Sequence, residues 1–379
     1  MKALYKLKLF DKTLVKFSLE DKGGLKGLQA DDIFVEKDVD NVLPIGIELT
    51  PLGIVKWLKR RVIPKNRTFV YEILKSLNLE IYDTKGIIDV CKGLSLNDCY
   101  WVVPENFDGM FSDYNLYQNS FSEILSLVAY TGVNNSSHKG LITSPELTTN
   151  GMLPKAWRAL KDGIYLYKGG TTGFANTGNE PYSEYYASQI AKIMSINHVS
   201  YDLEKWKGIL ASKCKIFTDI NTAYVPIGVI DNINTLQDVV VYYEHMGEEY
   251  INALSDMLVF DAVIYNEDRH FGNFGLLREN HSGKFIAPAP IFDNGVSLFN
   301  FAMKNEIENL SEYAVTRSNP YGLPYQQVVK SIITKRQKEM LRNLIGFKFT
   351  RHRLYNLPEE RLIAIEKQIA SRVTELISL

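Results

Sequence analysis

A helix that empties into ionisable groups constrains this sequence more than any other feature. Residues 248–265, EEYINALSDMLVFDAVIY, carry the dense apolar pattern of a buried helix, and NEDRHFGNFG follows at once. Within that loop Asp268 stands five residues before Asn273, and Asp293 follows in IFDNG, after an apolar strand pattern. Charged groups brought to the end of a buried helix cost desolvation unless the fold uses them, so this stretch is a candidate centre. The rest of the chain is read for the parts such a centre would need.

A chain of 379 residues is too long for one ordinary core, so two or three packed units are expected. A net charge of -1 gives no global attraction to nucleic acid or an anionic membrane. Cys91, Cys99 and Cys214 are scattered, odd in number and without metal-ligand spacing. They argue against a disulfide framework or a zinc site and fit a reducing, cytoplasmic compartment. The amino-terminal residues alternate apolar and polar like a strand pair, without the pattern of a signal peptide. No run of about 18 apolar residues occurs, so no membrane span is expected.

Residues 1–135 read as a mixed α/β subdomain of unknown role. It contains a helix near 50–61, opened by Thr50-Pro51 as N-cap and first turn and stopped at Pro64, and then the helical RTFVYEILKSLNL. Six basic residues, Lys56, Lys59, Arg60, Arg61, Lys65 and Arg67, are read as a solvated helix face and turn rather than a nucleic-acid surface. From 136 the composition turns to Gly, Thr and Asn, with strands at GIYLYKGG, CKIFT and TAYVPIGVI and a helix at EYYASQIAKIM. After about 233 helices dominate, apart from FGLLREN and KFIAPAPIFDNGVSLF. A strand-rich unit over 136–232 followed by a helical unit over 233–379 is an α+β, bilobal arrangement.

Phosphoryl transfer needs a cation for phosphates, metal ions bridging phosphate oxygens, backbone donors, and a carboxylate that orients the attacking hydroxyl. Each has a candidate, in the chain order that protein kinases use. Lys168 ends the strand IYLYK, and Glu184, at the opening of the next helix, is placed to hold it as an ion pair. Asp268 and Asn273 have the Asp-to-Asn spacing of the kinase loop H-R-D-x-x-x-x-N. Asp293 stands where the metal-binding aspartate of D-F-G would stand, and a hairpin from NFGLL to FIAPAPIFDNG would bring Asn273 and Asp293 to one metal ion. By itself, DNG reads as a hairpin turn; following DRHFGN at this distance, it reads as the metal-binding position. A clean G-x-G-x-x-G is absent; SPELTTNGMLPKAW, with the Asn150-Gly151 turn and Lys155, is the candidate phosphate loop. The adenine-binding hinge is expected near Gly228–Ile230.

Taken together, YNEDRHFGNFG, SEYYASQIA and the Lys168 strand resemble the HipA-like serine/threonine protein kinases, whose catalytic loop reads D-R-H-x-x-N. The resemblance covers roughly residues 136–379; residues 1–135 correspond only by position, to the extra N-terminal subdomain of that family. It implies a protein-kinase-like fold and transfer of the γ-phosphate of ATP, with Mg²⁺, to a protein hydroxyl. It gives Asp268 the catalytic role, Asn273 and Asp293 the metal, and Lys168 the ATP phosphates. His270 falls on the family's loop histidine, with binding of the loop backbone as its alternative role. Family members autophosphorylate a serine in the phosphate loop, which inactivates them; Ser144, Thr148 and Thr149 are the candidates here, and the sequence does not choose among them. Many are toxin arms paired with a DNA-bound antitoxin, so an antitoxin partner is implied beside an unidentified protein substrate.

Two other readings stand beside this one. One is the same fold acting on another acceptor, by lipid phosphorylation or by AMP transfer. The other is a nucleotide-binding toxin or regulatory module that works by complex formation.

Overall fold

The computed structural model describes residues 2–23, 27–133, 144–173 and 176–379. The boundary expected between 135 and 136, and the first residues of the Gly/Thr/Asn-rich stretch, lie outside the described residues. The chain forms two compact units: Met1–Tyr167 with Thr218–Val225 and Leu277–Ile286, and Lys168–Phe217 with Pro226–Leu276 and Ala287–Leu379. The division falls inside the strand Gly163–Lys168, whose last residue, Lys168, opens the second unit.

The first unit begins with the expected strand pair, β1 (Ala3–Leu9) and β2 (Lys12–Asp21), joined by β3 (Leu28–Val35) and β4 (Tyr100–Pro104) in the order β3-β2-β1-β4. Alternation decides the buried face, since successive strand residues point to opposite sides: Tyr5, Leu7 and Leu9 of β1 are buried, while Leu4, Lys6 and Lys8 take the alternate positions. The helix Pro51–Lys59 starts as read, with the Thr50 hydroxyl accepting the Gly53 N–H at 3.0 Å. A second apolar cluster joins Val70, Ile73 and Leu74 to Ile87, Cys91, Val128, Ala129 and Leu147.

The basic run Lys56–Arg67 departs from the expected solvated face. Lys56, Lys59, Arg60 and Lys65 are exposed, but Arg61 and Arg67 are buried. Arg61 forks onto Asp98 at 2.8 and 2.9 Å. Arg67 pairs with Glu146 at 2.6 Å, both side chains fully buried. Both arginines lie beyond the last helical turn, where the periodicity that keeps the helix lysines outward no longer applies.

In the second unit the strands Tyr201–Trp206 and Ile209–Lys215 form an antiparallel pair. The strand read over TAYVPIGVI stops at Pro226 and passes into a single turn, Ile227–Val229, because proline has no N–H for a ladder. The helix Glu248–Ile264 is the apolar one read from the sequence: every residue from Leu254 to Ile264 is buried. Its final position, Tyr265, takes a left-handed conformation (φ 52°) that turns the chain out of the helix into the polar loop. Among the described residues no helix is long and apolar enough to cross a membrane.

Candidate active site

The loop after Tyr265 is built by its own side chains. Asn266 donates its carboxamide N–H to Asp261 at 3.0 Å and accepts the Asp268 N–H at 3.0 Å. The Asp268 carbonyl accepts the Asn273 carboxamide N–H at 2.9 Å and the His270 N–H at 2.8 Å. Asn273 thus spends its nitrogen on the loop, and its oxygen is the atom left for a cation. His270 is exposed, and its Nδ1 accepts the Gly272 N–H at 3.0 Å. That contact is the backbone-binding role, and it places the ring proton of a neutral imidazole on Nε2.

Asp268 itself is half-buried, and among the described residues no donor hydrogen-bonds its carboxylate. Burial raises its pKa above the usual aspartate range; nearby His270 works against this, and Asp293 adds to it. An oxygen acceptor without a protein donor, in a loop otherwise saturated with hydrogen bonds, is available to a proton from outside.

Arg269 holds this loop. It is 1% exposed and forks onto Asp261 of the preceding helix, with both bonds at 3.0 Å. Its remaining donors reach the Asn273 carbonyl at 3.1 Å, the Phe292 carbonyl at 2.5 Å and the Asn294 side-chain oxygen at 2.6 Å. One planar guanidinium therefore fixes the loop of Asp268 against the residues on either side of Asp293.

Lys168 contacts Glu184 at 3.0 Å and forms a still shorter ion pair with Asp293. Burial works against its charge, but the Asp293 and Glu184 carboxylates outweigh that and raise its pKa, keeping it an ammonium. The helix that carries Glu184 runs Glu180–Ile193, so it begins earlier than expected. Glu184 therefore sits in its second turn, fully buried, and its other oxygen accepts the Asn294 N–H at 2.7 Å. Asp293 adopts φ 56°, a strained conformation for a side chain with a Cβ, and its N–H donates to the Tyr201 hydroxyl at 3.1 Å. Among the described residues no cluster of three His, Cys, Asp or Glu side chains is set to bind a metal ion. The oxygens of Asp293 and Asn273 are nevertheless hard donors of the type Mg²⁺ takes, with its remaining positions filled by water or phosphate.

Gly228 and Ile230 meet the hinge expectation differently from an open turn. The Gly228 N–H donates to Phe271 O at 2.9 Å and the Ile230 N–H to Ile227 O at 3.1 Å, so the two residues offer carbonyls rather than amide protons. The candidate phosphate-loop residues lie in the first unit. There the Lys155 ammonium donates to the Asn150 carbonyl at 2.8 Å beside Gly151. Ser144 and Thr148 are buried, and the Thr148 hydroxyl donates to Leu94 O at 2.7 Å. Thr149 is half-buried, donating to Pro145 O at 2.6 Å.

The second unit thus gathers Lys168, Glu184, Asp268, Asn273 and Asp293, with His270 at the rim. Sequence reasoning gave no role to Arg269, Asp261, Asn266 or Tyr201. Arg269 was visible inside D-R-H, but its partner eight residues upstream carries no local signal.

No protein-family description matches the sequence, and no curated protein matches it. Among solved structures the chain is similar to HipA of Shewanella oneidensis MR-1, in a complex with HipB and operator DNA. That match is 13% identical, spans 99% of both chains and has a TM-score of 0.51. The chain is also similar to the Helicobacter pylori proinflammatory kinase CtkA, at 18% identity over 59% of this chain and 91% of that one, with a TM-score of 0.44. The full-length likeness shows the HipA fold, an α+β protein-kinase-like fold, as the resemblance in the sequence implied.

Proposed function

We propose that this chain is an ATP- and Mg²⁺-dependent kinase that transfers the γ-phosphate to a serine or threonine hydroxyl, of a protein target and of itself. The observation that carries the reading is the undonated Asp268 carboxylate, in one hydrogen-bonded loop with Asn273, and tied through Arg269 to the Asp293 segment. In this reading Lys168, oriented by Glu184, meets the ATP phosphates, while Asn273 and Asp293 would hold Mg²⁺. The metal supplies neutralisation of charge on the phosphates. Asp268 orients the acceptor hydroxyl and takes its proton, and His270 keeps the loop in shape. Gly228 and Ile230 would meet the adenine through their carbonyls.

Residues 136–232 and 233–379 are then the two lobes of the kinase, with residues 1–135 as an added subdomain. Asn150, Gly151 and Lys155 are proposed phosphate contacts. Of the self-phosphorylation candidates, Thr149 is the one with a partly exposed side chain; Ser144 and Thr148 would have to leave the interior first. HipA of Shewanella oneidensis is complexed with HipB, so an antitoxin-type protein partner is proposed for this chain as well. The protein is proposed to act in the cytoplasm, consistent with three free, buried cysteines.

The test is intact-mass measurement after incubation with Mg²⁺ and ATP. A gain of phosphate masses supports a self-phosphorylating protein kinase, and fragmentation locates the site. An adenylate-sized gain would replace phosphoryl transfer with AMP transfer. No gain, with ATP bound, would leave a foreign acceptor such as a lipid, or a regulatory module without turnover.

A pH profile adds a second check. Only the ionised Asp268 accepts a proton, and burial makes its carboxyl release its own proton at higher pH than usual. The acid limb of kcat/KM is therefore expected above the ordinary aspartate range. A limb at or below that range would assign the base elsewhere.

A further inference from the structure

Arg67 belongs to a basic run that the proposed function leaves unused, yet it is 2% exposed and makes its contacts with one loop. Four N–H groups of its guanidinium are committed there. One nitrogen donates to the carbonyls of Glu146 at 3.1 Å and Thr149 at 3.2 Å. The other donates to the Glu146 carboxylate at 2.6 Å and the Lys155 carbonyl at 2.8 Å. The next residue, Thr68, donates its N–H to Met152 O at 2.8 Å. Leu147, from the same loop, is buried in the apolar cluster beside Val70 and Ile73.

These bonds orient the peptide planes. In a trans peptide the carbonyl of one residue and the N–H of the next point in opposite directions. Arg67 captures Thr149 O, Thr68 captures Met152 O and Lys155 captures Asn150 O. The N–H groups of Asn150, Leu153 and Gly151 are therefore turned away from those captors. Among the described residues, the amides from Thr149 to Leu153 donate to no protein acceptor, and Asn150, Gly151 and Met152 are exposed. Gly151 has φ 89°, a backbone conformation that side chains with a Cβ rarely adopt, so glycine suits the turn.

We infer that Arg67 is a positioning residue: by capturing the carbonyls of Glu146, Thr149 and Lys155 it holds the segment whose amides, from Thr149 to Leu153, form a binding loop for a phosphate group. This gives residues 1–135 a task, that of shaping the loop through Arg67 and Thr68, and it rests on the kinase reading above. The arginine fork is required, because a lysine in its place would keep the charge for Glu146 but present a single nitrogen in place of two.

The test is the affinity of the full chain for Mg²⁺-ATP and for adenosine, which has no phosphate, in wild type, Arg67→Lys and Arg67→Met/Glu146→Gln. The double variant removes the buried pair together, so neither charge is left uncompensated. Expected are at least a tenfold loss in Mg²⁺-ATP affinity in both variants and unchanged adenosine affinity. Wild-type affinity for Mg²⁺-ATP in Arg67→Lys would overturn the inference while leaving the kinase reading intact. Equal loss of both ligands would also overturn it, since Arg67 would then support the fold rather than the phosphate loop. A wild-type chain that binds neither ligand would remove the kinase reading itself. Should the double variant fail to fold, Arg67→Lys decides alone.

Discussion

Asp268→Asn is expected to bind Mg²⁺-ATP nearly as the wild type does and to transfer phosphate roughly 10²–10⁴ times more slowly, the span associated with a positioned general base. The substitution keeps the shape of the side chain and removes only the negative acceptor. No protein donor hydrogen-bonds the Asp268 carboxylate among the described residues, so the change should cost the loop little. Asp293→Asn should behave differently, because Asp293 is an ion-pair partner of Lys168 as well as a proposed metal ligand; Mg²⁺-ATP affinity should fall along with rate. Single-turnover phosphate transfer and nucleotide titration on the same preparations separate the two. Unchanged turnover in Asp268→Asn would end the assignment of the catalytic loop.

Asp261→Ala is expected to lower the stability of the second unit by roughly 3–5 kcal/mol, the cost of leaving a buried charge without its partner. Arg269 is 1% exposed, and Asp261 supplies two of its hydrogen bonds. Asn266 would lose its anchor on the same carboxylate, and with it the carboxamide that receives the Asp268 N–H. Rate should therefore fall in Asp261→Ala even at temperatures where the variant stays folded. Paired replacement, Asp261→Leu with Arg269→Met, should recover much of the stability and none of the activity. Chemical denaturation of the three proteins, beside phosphate transfer, checks both halves. An unfolding free energy equal to the wild type in Asp261→Ala would show that the loop is held by something other than this pair.

Much of the proposed site was legible because the residues that the kinase reading uses stand in a fixed order along a chain. The spacing of Asp268, Asn273 and Asp293, and a lysine at a strand end followed by a helical glutamate, are properties of the linear sequence. The apolar helix before the loop was equally readable, since eleven consecutive buried residues leave a plain mark. The fold class read from these features is the one that the full-length likeness shows.

Other features were not legible. The Lys168–Glu184 pair was expected, but neither the earlier start of the helix nor the second partner of Glu184 could be read. In the structure Glu184 is buried in the second turn and holds Lys168 and the Asn294 amide together. Arg61 and Arg67 read as members of a solvated basic run, yet each is buried with a carboxylate, Asp98 and Glu146, that lies dozens of residues away. Gly228 and Ile230 gave no hint that their amides are committed within the chain.

The sequence by itself determined which residues are candidates for the proposed chemistry and in what order they stand, because residue type and local periodicity are encoded within a few positions. Only the tertiary structure decided which charges are neutralised and which are left to act. Burial and pairing depend on partners distant along the chain, and it is the loss of water around them that makes Arg67, Arg269 and Glu184 fixed supports, while the Asp268 carboxylate has no hydrogen-bond donor among the described residues.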